Sequence, residues 1–102
     1  MNIDVTRHGQ TLQLTIQGNI GESEAETLKQ RFRENRLDDI KEVILDMAQV
    51  KHIGSSGLGK LILIYKDITL KSGKLKLINV LPSIYEELRT IKFDQIFSIS
   101  KA

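Results

Sequence analysis

A transition from strand to helix in the middle of the chain constrains the fold more than any other feature. Val43, Ile44 and Leu45 form a short apolar run that ends at Asp46, which is typical of a strand buried on both faces. From Gly57 onward the apolar residues recur at helical spacing, at Leu58, Leu61, Ile62, Tyr65 and Ile68. The chain therefore passes from a buried strand through a tight loop into a long amphipathic helix.

The segments on either side of this unit predict an α/β fold. The first half is expected to contain a hairpin at 3–16, a loop at 18–22, a helix that begins at the capping-box spacing of Ser23 to Glu26, and a strand at 42–46. The long helix is expected to end at Ser72-Gly73, because glycine readily adopts the left-handed conformation of a helix C-terminus. A strand at 74–80, a short helix from Pro82 with Ile84, Leu88 and Ile91 inward, and a strand at 96–99 are expected to follow. Right-handed crossovers make the later strands parallel, so we expect a mixed sheet. Because the chain has 102 residues, we expect one domain over 1–102.

Candidate site residues gather where the parallel strands end. Ligand or partner sites in such sheets lie at the carboxyl ends of the strands. This rule places the 18–22 loop, Asp46 with the following serines, and the 79–82 segment at one end of the molecule.

Ser55 and Ser56 lie at the predicted start of the long helix. The first N–H groups of a helix lack intrahelical partners and its dipole is positive there, so a serine hydroxyl caps well and a phosphate on that hydroxyl is tolerated. By position alone, Ser55 is either a plain cap, with a contribution of about 1 kcal/mol, or a phosphorylation switch. Gly57 and Gly59 predict close packing of the helix start against the sheet.

The same segment comes close to two catalytic patterns. Residues 54–60 match the G-x-x-x-x-G-K spacing of a phosphate-binding loop, but Leu61 occupies the place of the Ser or Thr that ligates magnesium. The G-x-S-x-G spacing of a nucleophile elbow is absent, and His52 is expected to face solvent. Two histidines and no cysteines argue against a transition-metal site. We therefore predict neither a catalytic residue nor a metal or other cofactor.

Composition limits the partners and the location. A net charge of +2, an aromatic content of 5% and the lack of an Arg-rich run argue against nucleic-acid binding. The longest apolar run is far shorter than a membrane span, and the first residues show no apolar signal region. Together with the absence of cysteine, these features predict a cytoplasmic protein without membrane insertion.

The central segment resembles a known family. Leu45-Asp46-Met47-Ala48-Gln49-Val50, followed by Ser55-Ser56-Gly57-Leu58-Gly59, is similar to the STAS domain of bacterial anti-sigma factor antagonists, in which Asp-Ser-Ser/Thr-Gly-Leu-Gly recurs after a strand and a short loop. The likeness in element order extends over essentially the whole chain. Two positions differ, since Gly54 replaces the usual Asp, and Gly21, followed by Glu22, replaces an acidic residue in the loop after Gly18.

The resemblance implies a function and a site. It implies a non-enzymatic partner-switching protein with helices mainly on one face of the sheet. Unphosphorylated, the protein would bind an anti-sigma factor with serine kinase activity; phosphorylation of Ser55 would release it, and a serine phosphatase would reset it, with Ser56 as the fallback acceptor. The implied contact residues are Gly21, Glu22, Gly54, Ser55, Ser56, Gly57, Leu58, Gly59 and Lys60. A constitutive STAS interaction module, for example in a transporter or signalling complex, and a nucleotide-binding module stay open as alternatives.

Overall fold

The computed structural model describes residues 2–35 and 39–102. In order, the elements are β1 (Asn2–His8), β2 (Thr11–Gln17), α1 (Glu22–Arg33), β3 (Glu42–Gln49), α2 (Ser55–Leu70), β4 (Lys74–Val80), α3 (Pro82–Thr90), a 3₁₀ turn (Phe93–Gln95) and β5 (Ser98–Lys101). The predicted order of strands and helices is confirmed. The predicted bounds of several elements are wrong by one to a few residues, and the 3₁₀ turn was not predicted.

The strands form one mixed sheet within the described ranges. Its order is β1-β2-β3-β4-β5, with β1 and β2 antiparallel and the remaining neighbours parallel. This arrangement confirms the expected hairpin followed by parallel strands. It also places the amino end of α2 and the loop after β2 at the same edge of the sheet, because β2 and β3 run in parallel.

Helices cover one face of this sheet. Leu14 of β2, Leu45 of β3 and Leu77 of β4 are neighbours in register, and all three are fully buried in the single core that the helices also enter. On the other face, Ile44 is only half-buried, and its register neighbours are the polar Gln13 and Lys76. The expectation that β3 is buried on both faces was therefore wrong, because polar neighbours keep the second face open to solvent.

The carboxyl end of α2 differs from the predicted glycine cap. The helix ends at Leu70, and Ser72, not Gly73, adopts the left-handed conformation with φ of 61°. Gly73 is needed for space, since a Cβ there would lie 2.7 Å from Cγ1 of Ile68. Ile91 is 43% exposed, so the prediction that it faces the core was wrong. It is the C-cap residue of α3 and lies beyond the last helical turn that packs against the core.

The amino end of α1 lies two residues before the predicted one. Gly21 is the N-cap, and its backbone N–H donates a hydrogen bond of 3.0 Å to the carboxylate of Glu24. This is the backbone half of a capping box, because glycine has no side chain to return the bond. The predicted box of Ser23 and Glu26 does not form, and Glu26 instead points toward α2.

Candidate functional site

Two loops are hydrogen-bonded into one structure at the carboxyl edge of the sheet. The N–H of Ile20 donates to the carbonyl of His52 at 3.0 Å, and the N–H of Gly54 donates to the carbonyl of Ile20 at 2.8 Å. Ile20 and Ile53 form a parallel bridge between the loops, and both side chains are buried. The segment that ends in Gly21 is thereby fixed against the segment that leads into Ser55, as the sequence predicted for this end of the molecule.

The serines begin α2 without capping it. Gly54, in extended conformation, is the N-cap, so Ser55 and Ser56 are the first two residues of the helix. Both are exposed, and their hydroxyls make no hydrogen bond within the described residues. The prediction that Ser55 caps the helix was wrong, because the bond from Gly54 to Ile20 fixes the extended residue one position earlier.

The two glycines of the motif have different surroundings. A Cβ at Gly57 would lie 2.7 Å from Cγ1 of Ile53 and 2.8 Å from Cγ2 of Ile20, so only glycine lets the helix approach the bridged loops. A Cβ at Gly59 would meet nothing within 4 Å. The predicted close packing is confirmed for Gly57 and wrong for Gly59. The surface over Gly59, one turn beyond Ser55, is instead open to an approaching partner.

A groove of about 830 Å³ runs between α1 and the first turns of α2. The Nζ atom of Lys60 lies 3.1 Å from one carboxylate oxygen of Glu26, and Nζ of Lys29 lies 3.0 Å from the other. These two hydrogen-bonded lysines hold the pKa of Glu26 below its ordinary value. Ser56 lines this groove with Gly59 and Lys60, and facing them are Glu22, Ser23 and Glu26.

Asp46 stabilises the ends of the strands. Its Oδ1 atom accepts a hydrogen bond of 3.1 Å from the N–H of Ala48 and one of 3.2 Å from Nδ2 of Asn79. Asn79 itself has a left-handed backbone, with φ of 55°, at the end of β4. The carboxylate of Asp46, which lies within β3, therefore binds Asn79 near the carboxyl end of the neighbouring strand β4.

The geometry does not support the phosphate-binding loop. In the segment that matches it, residues 55–60 are helical, and the N–H of Leu58 donates to the carbonyl of Gly54 at 3.0 Å instead of lining a loop. Leu61 is fully buried, and Lys60 pairs with Glu26. His52 is exposed, as predicted.

Residues 2–35 and 39–102 contain no group of three or more His, Cys, Asp or Glu side chains placed to hold a metal ion. No helix in these ranges is both long and apolar enough to cross a membrane.

The family follows from comparison of the whole chain with known families. A model of the STAS domain matches residues 2–102. The chain belongs to the STAS domain family. The match includes both bridged loops, the serine pair and every element of the sheet.

Solved structures share this fold at low sequence identity. An anti-sigma factor antagonist described as putative, from Thermotoga maritima, has a TM-score of 0.87 and 18% identity, over 98% of this chain and 86% of that one. The Bacillus cell fate determinant SpoIIAA in its phosphorylated form has a TM-score of 0.76 and 12% identity, over 96% and 90% of the two chains. A sulfate transporter family protein from Wolinella succinogenes has a TM-score of 0.79 and 20% identity, over 89% and 76%. Likeness at these identities shows the fold alone.

Proposed function

We propose that this STAS protein is an anti-sigma factor antagonist that works by partner switching. In its unphosphorylated form it binds an anti-sigma factor that is also a serine kinase. Phosphorylation of Ser55 releases that partner, and a serine phosphatase restores binding. The protein acts in the cytoplasm as one binding unit over residues 1–102, without catalysis, cofactor, nucleic acid or membrane insertion.

The observation that carries the proposal is the setting of Ser55. Its hydroxyl is exposed, makes no hydrogen bond within the described part of the chain, and begins a 16-residue helix. The free N–H groups and positive dipole of a helix start tolerate a phosphate, so phosphorylation can occur without unfolding the domain. A kinase can therefore reach Ser55, and the folded protein can exist in both states.

The groove favours Ser55 over Ser56 as the acceptor. Ser56 lines the groove that also contains the carboxylates of Glu22 and Glu26. A phosphate on Ser56, carrying about −1.5 to −2 charges, would face these carboxylates and be repelled. Its attraction to Lys60 would compete with the existing pair between Lys60 and Glu26. Ser55, the first residue of α2, is not among the residues that line this groove. SpoIIAA, which has this fold, has been solved both unphosphorylated and phosphorylated.

The proposed contact surface surrounds Ser55. It combines the serine turn, the open surface over Gly59 and the start of α1, namely Gly21, Glu22, Gly54, Ser55, Ser56, Leu58, Gly59 and Lys60. Gly57 is buried and is left out of this surface. Its lack of a side chain lets the serine turn pack against Ile20 and Ile53 of the two loops. A phosphate at the centre of the surface would place a hydrated anion in the contact, which disfavours binding by desolvation and like-charge repulsion.

A second candidate is a constitutive interaction module. The likeness to a sulfate transporter family protein supports it, and so does Gly54, which replaces the acidic residue usual before the serine pair. In that case Ser55 would contact a partner without being modified. Phosphorylation distinguishes the two candidates directly.

The test is native co-purification of the tagged protein from its host. Mass spectrometry of the intact chain reports phosphate, and mass spectrometry of the co-purified proteins identifies the partner. The partner-switching proposal predicts a kinase-type anti-sigma factor bound to the unmodified chain. It also predicts that incubation with this kinase and ATP places phosphate on Ser55, with Ser55→Ala as the control. Phosphate on Ser56 alone contradicts the site, and a stable complex that never acquires phosphate supports the constitutive module.

A further inference from the structure

A second groove lies at the end of the molecule opposite the serines. It has a volume of about 530 Å³ and opens between the last turns of α2 and the segment that leads into β5. It is lined by Tyr65 and Thr69 of α2, Leu75 of β4, and Ile96 and Phe97 before β5. Because α2 rises about 1.5 Å per residue, this groove is about 15 Å or more from Ser55 along the helix.

Apolar and aromatic side chains form one part of the groove lining, which also contains Glu42, Thr69, Gly73, Lys74, Lys76 and Ser98. The rings of Tyr65 and Phe97 have centroids 5.9 Å apart, and Leu75 and Phe97 are almost completely buried beneath the opening. Ile96 remains 40% exposed at its edge. A shallower depression shares Tyr65 and Thr69 and ends at Leu70, which is 83% exposed. Ile96, at the edge of the groove, and Leu70, in the adjoining depression, are therefore two large apolar side chains that the structure leaves exposed in this region.

Lysines surround this apolar surface. Lys74 and Lys76 line the groove, and Lys66 lines the adjoining depression. The one acidic residue of the lining, Glu42, is already 3.6 Å from Nζ of Lys76. Lys66 and Lys74 have no ion pair among residues 2–35 and 39–102. With two lysines and one glutamate, the groove lining has a net charge of +1, and Lys66 adds a further positive charge beside it.

We infer that this groove binds a medium-chain fatty acid. Its volume lies in the range of about 300–1,000 Å³ that small-molecule sites occupy, and such sites combine an apolar lining with a few charged groups. The alkyl chain packs against Tyr65, Ile96 and Phe97, and the carboxylate meets Lys74 at the rim. A single anionic head on an apolar body matches both the lining and the charge. This site is independent of the proposed switch, because none of its residues belongs to the serine surface.

The test is a titration of the ¹⁵N-labelled full chain with sodium decanoate below its micelle concentration, followed by NMR. We expect saturable one-site binding with the largest shifts at the amides of Thr69, Leu75 and Phe97. Lys74→Glu should weaken binding by about tenfold, because one attraction becomes a repulsion. Lys51→Glu makes the same charge change at the serine end and should leave affinity within about twofold. Ile96→Asn should weaken binding through the apolar side of the groove, and circular dichroism checks that each variant is folded.

Several results would overturn the inference. Shifts that do not saturate, or that lie at the serine end, would remove the site. Equal binding of decyltrimethylammonium, which has the same chain and the opposite charge, would remove the role of the lysines. Equal loss in Lys74→Glu and Lys51→Glu would show a general charge effect. If decanoate fails while an acidic amphipathic peptide shifts these amides, the groove is a protein-docking surface.

Discussion

Replacing each motif glycine by alanine tests how the start of α2 is built. The two positions are two residues apart in one helix, so they share solvent, temperature and helix context. At Gly57 a Cβ would lie 2.7 Å from Ile53 and 2.8 Å from Ile20, two side chains that are themselves buried. At Gly59 a Cβ would enter open space.

The expected free energies have opposite signs. Overpacking of a well-filled core costs about 1–3 kcal/mol, and alanine recovers up to about 1 kcal/mol of helix propensity over glycine. Because the Cβ at Gly57 would meet two buried side chains at under 3.0 Å, its cost should lie in the upper part of this range, about 2–3 kcal/mol. Gly57→Ala should therefore lose about 1–2 kcal/mol of unfolding free energy after the propensity gain. Gly59→Ala has only the propensity gain and should become more stable by about 0.5–1 kcal/mol.

Urea denaturation followed by far-UV circular dichroism measures both variants against the wild type. In a domain of this size, 1 kcal/mol corresponds to about 4–8 °C in Tm, so thermal melts provide a second reading. A Gly57→Ala variant as stable as the wild type would refute the steric argument. A Gly59→Ala variant that loses stability would show that its surface is occupied in the fold.

Three further predictions concern other positions. Ser72→Gly should stabilise the protein by about 0.5–1 kcal/mol, because glycine adopts the left-handed conformation without the Cβ penalty; a loss in urea denaturation would contradict this. The Glu26 carboxylate has its pKa lowered by Lys29 and Lys60, so it stabilises the fold above its unfolded pKa, and this contribution disappears as the pH falls through the folded pKa. Glu26→Gln should therefore flatten the acid side of a stability-against-pH profile, and an unchanged profile would argue against the ion pairs. The purified wild type should show no magnesium-dependent ATP or GTP hydrolysis, and turnover that disappears in Lys60→Ala would restore the phosphate-binding loop.

The spacing of apolar residues along the chain was sufficient to predict the order of the strands and helices and the mixed sheet. Leu12, Leu14 and Ile16 alternate in β2 as predicted. In α2, Leu61 and Ile68 of the predicted stripe are buried, but Leu58, Ile62 and Tyr65 are half-buried, and Ile64, which was not predicted, completes the buried side. The serine pair was predicted as part of the site for other reasons, namely its position at the start of a helix and the resemblance of Ser55-Ser56-Gly57-Leu58-Gly59 to the STAS motif.

The start of each of the first two helices required tertiary information. Serine is the better N-cap by local chemistry, yet Gly21 and Gly54 have that role. The bridge between Ile20 and Ile53 fixes the backbone at both places, and no local pattern indicates it. The pair between Glu26 and Lys60 was missed for the same reason, since it depends on how α1 lies beside α2.

If charge at Ser55 controls partner binding, Ser55→Ala and Ser55→Asp must differ in their affinity for the partner. Isothermal titration measures the affinity of each variant for the co-purified anti-sigma partner, alongside thermal melts. Because Ser55 makes no capping bond, Ser55→Ala should remain within about 0.5 kcal/mol of wild-type stability, and Ser55→Asp should stay folded because an acid suits a helix start. We expect Ser55→Ala to bind like the unmodified protein and Ser55→Asp to bind more weakly. The loss of affinity in Ser55→Asp should be smaller than that caused by phosphoserine, which carries more charge. Equal affinities in two folded variants would contradict this expectation.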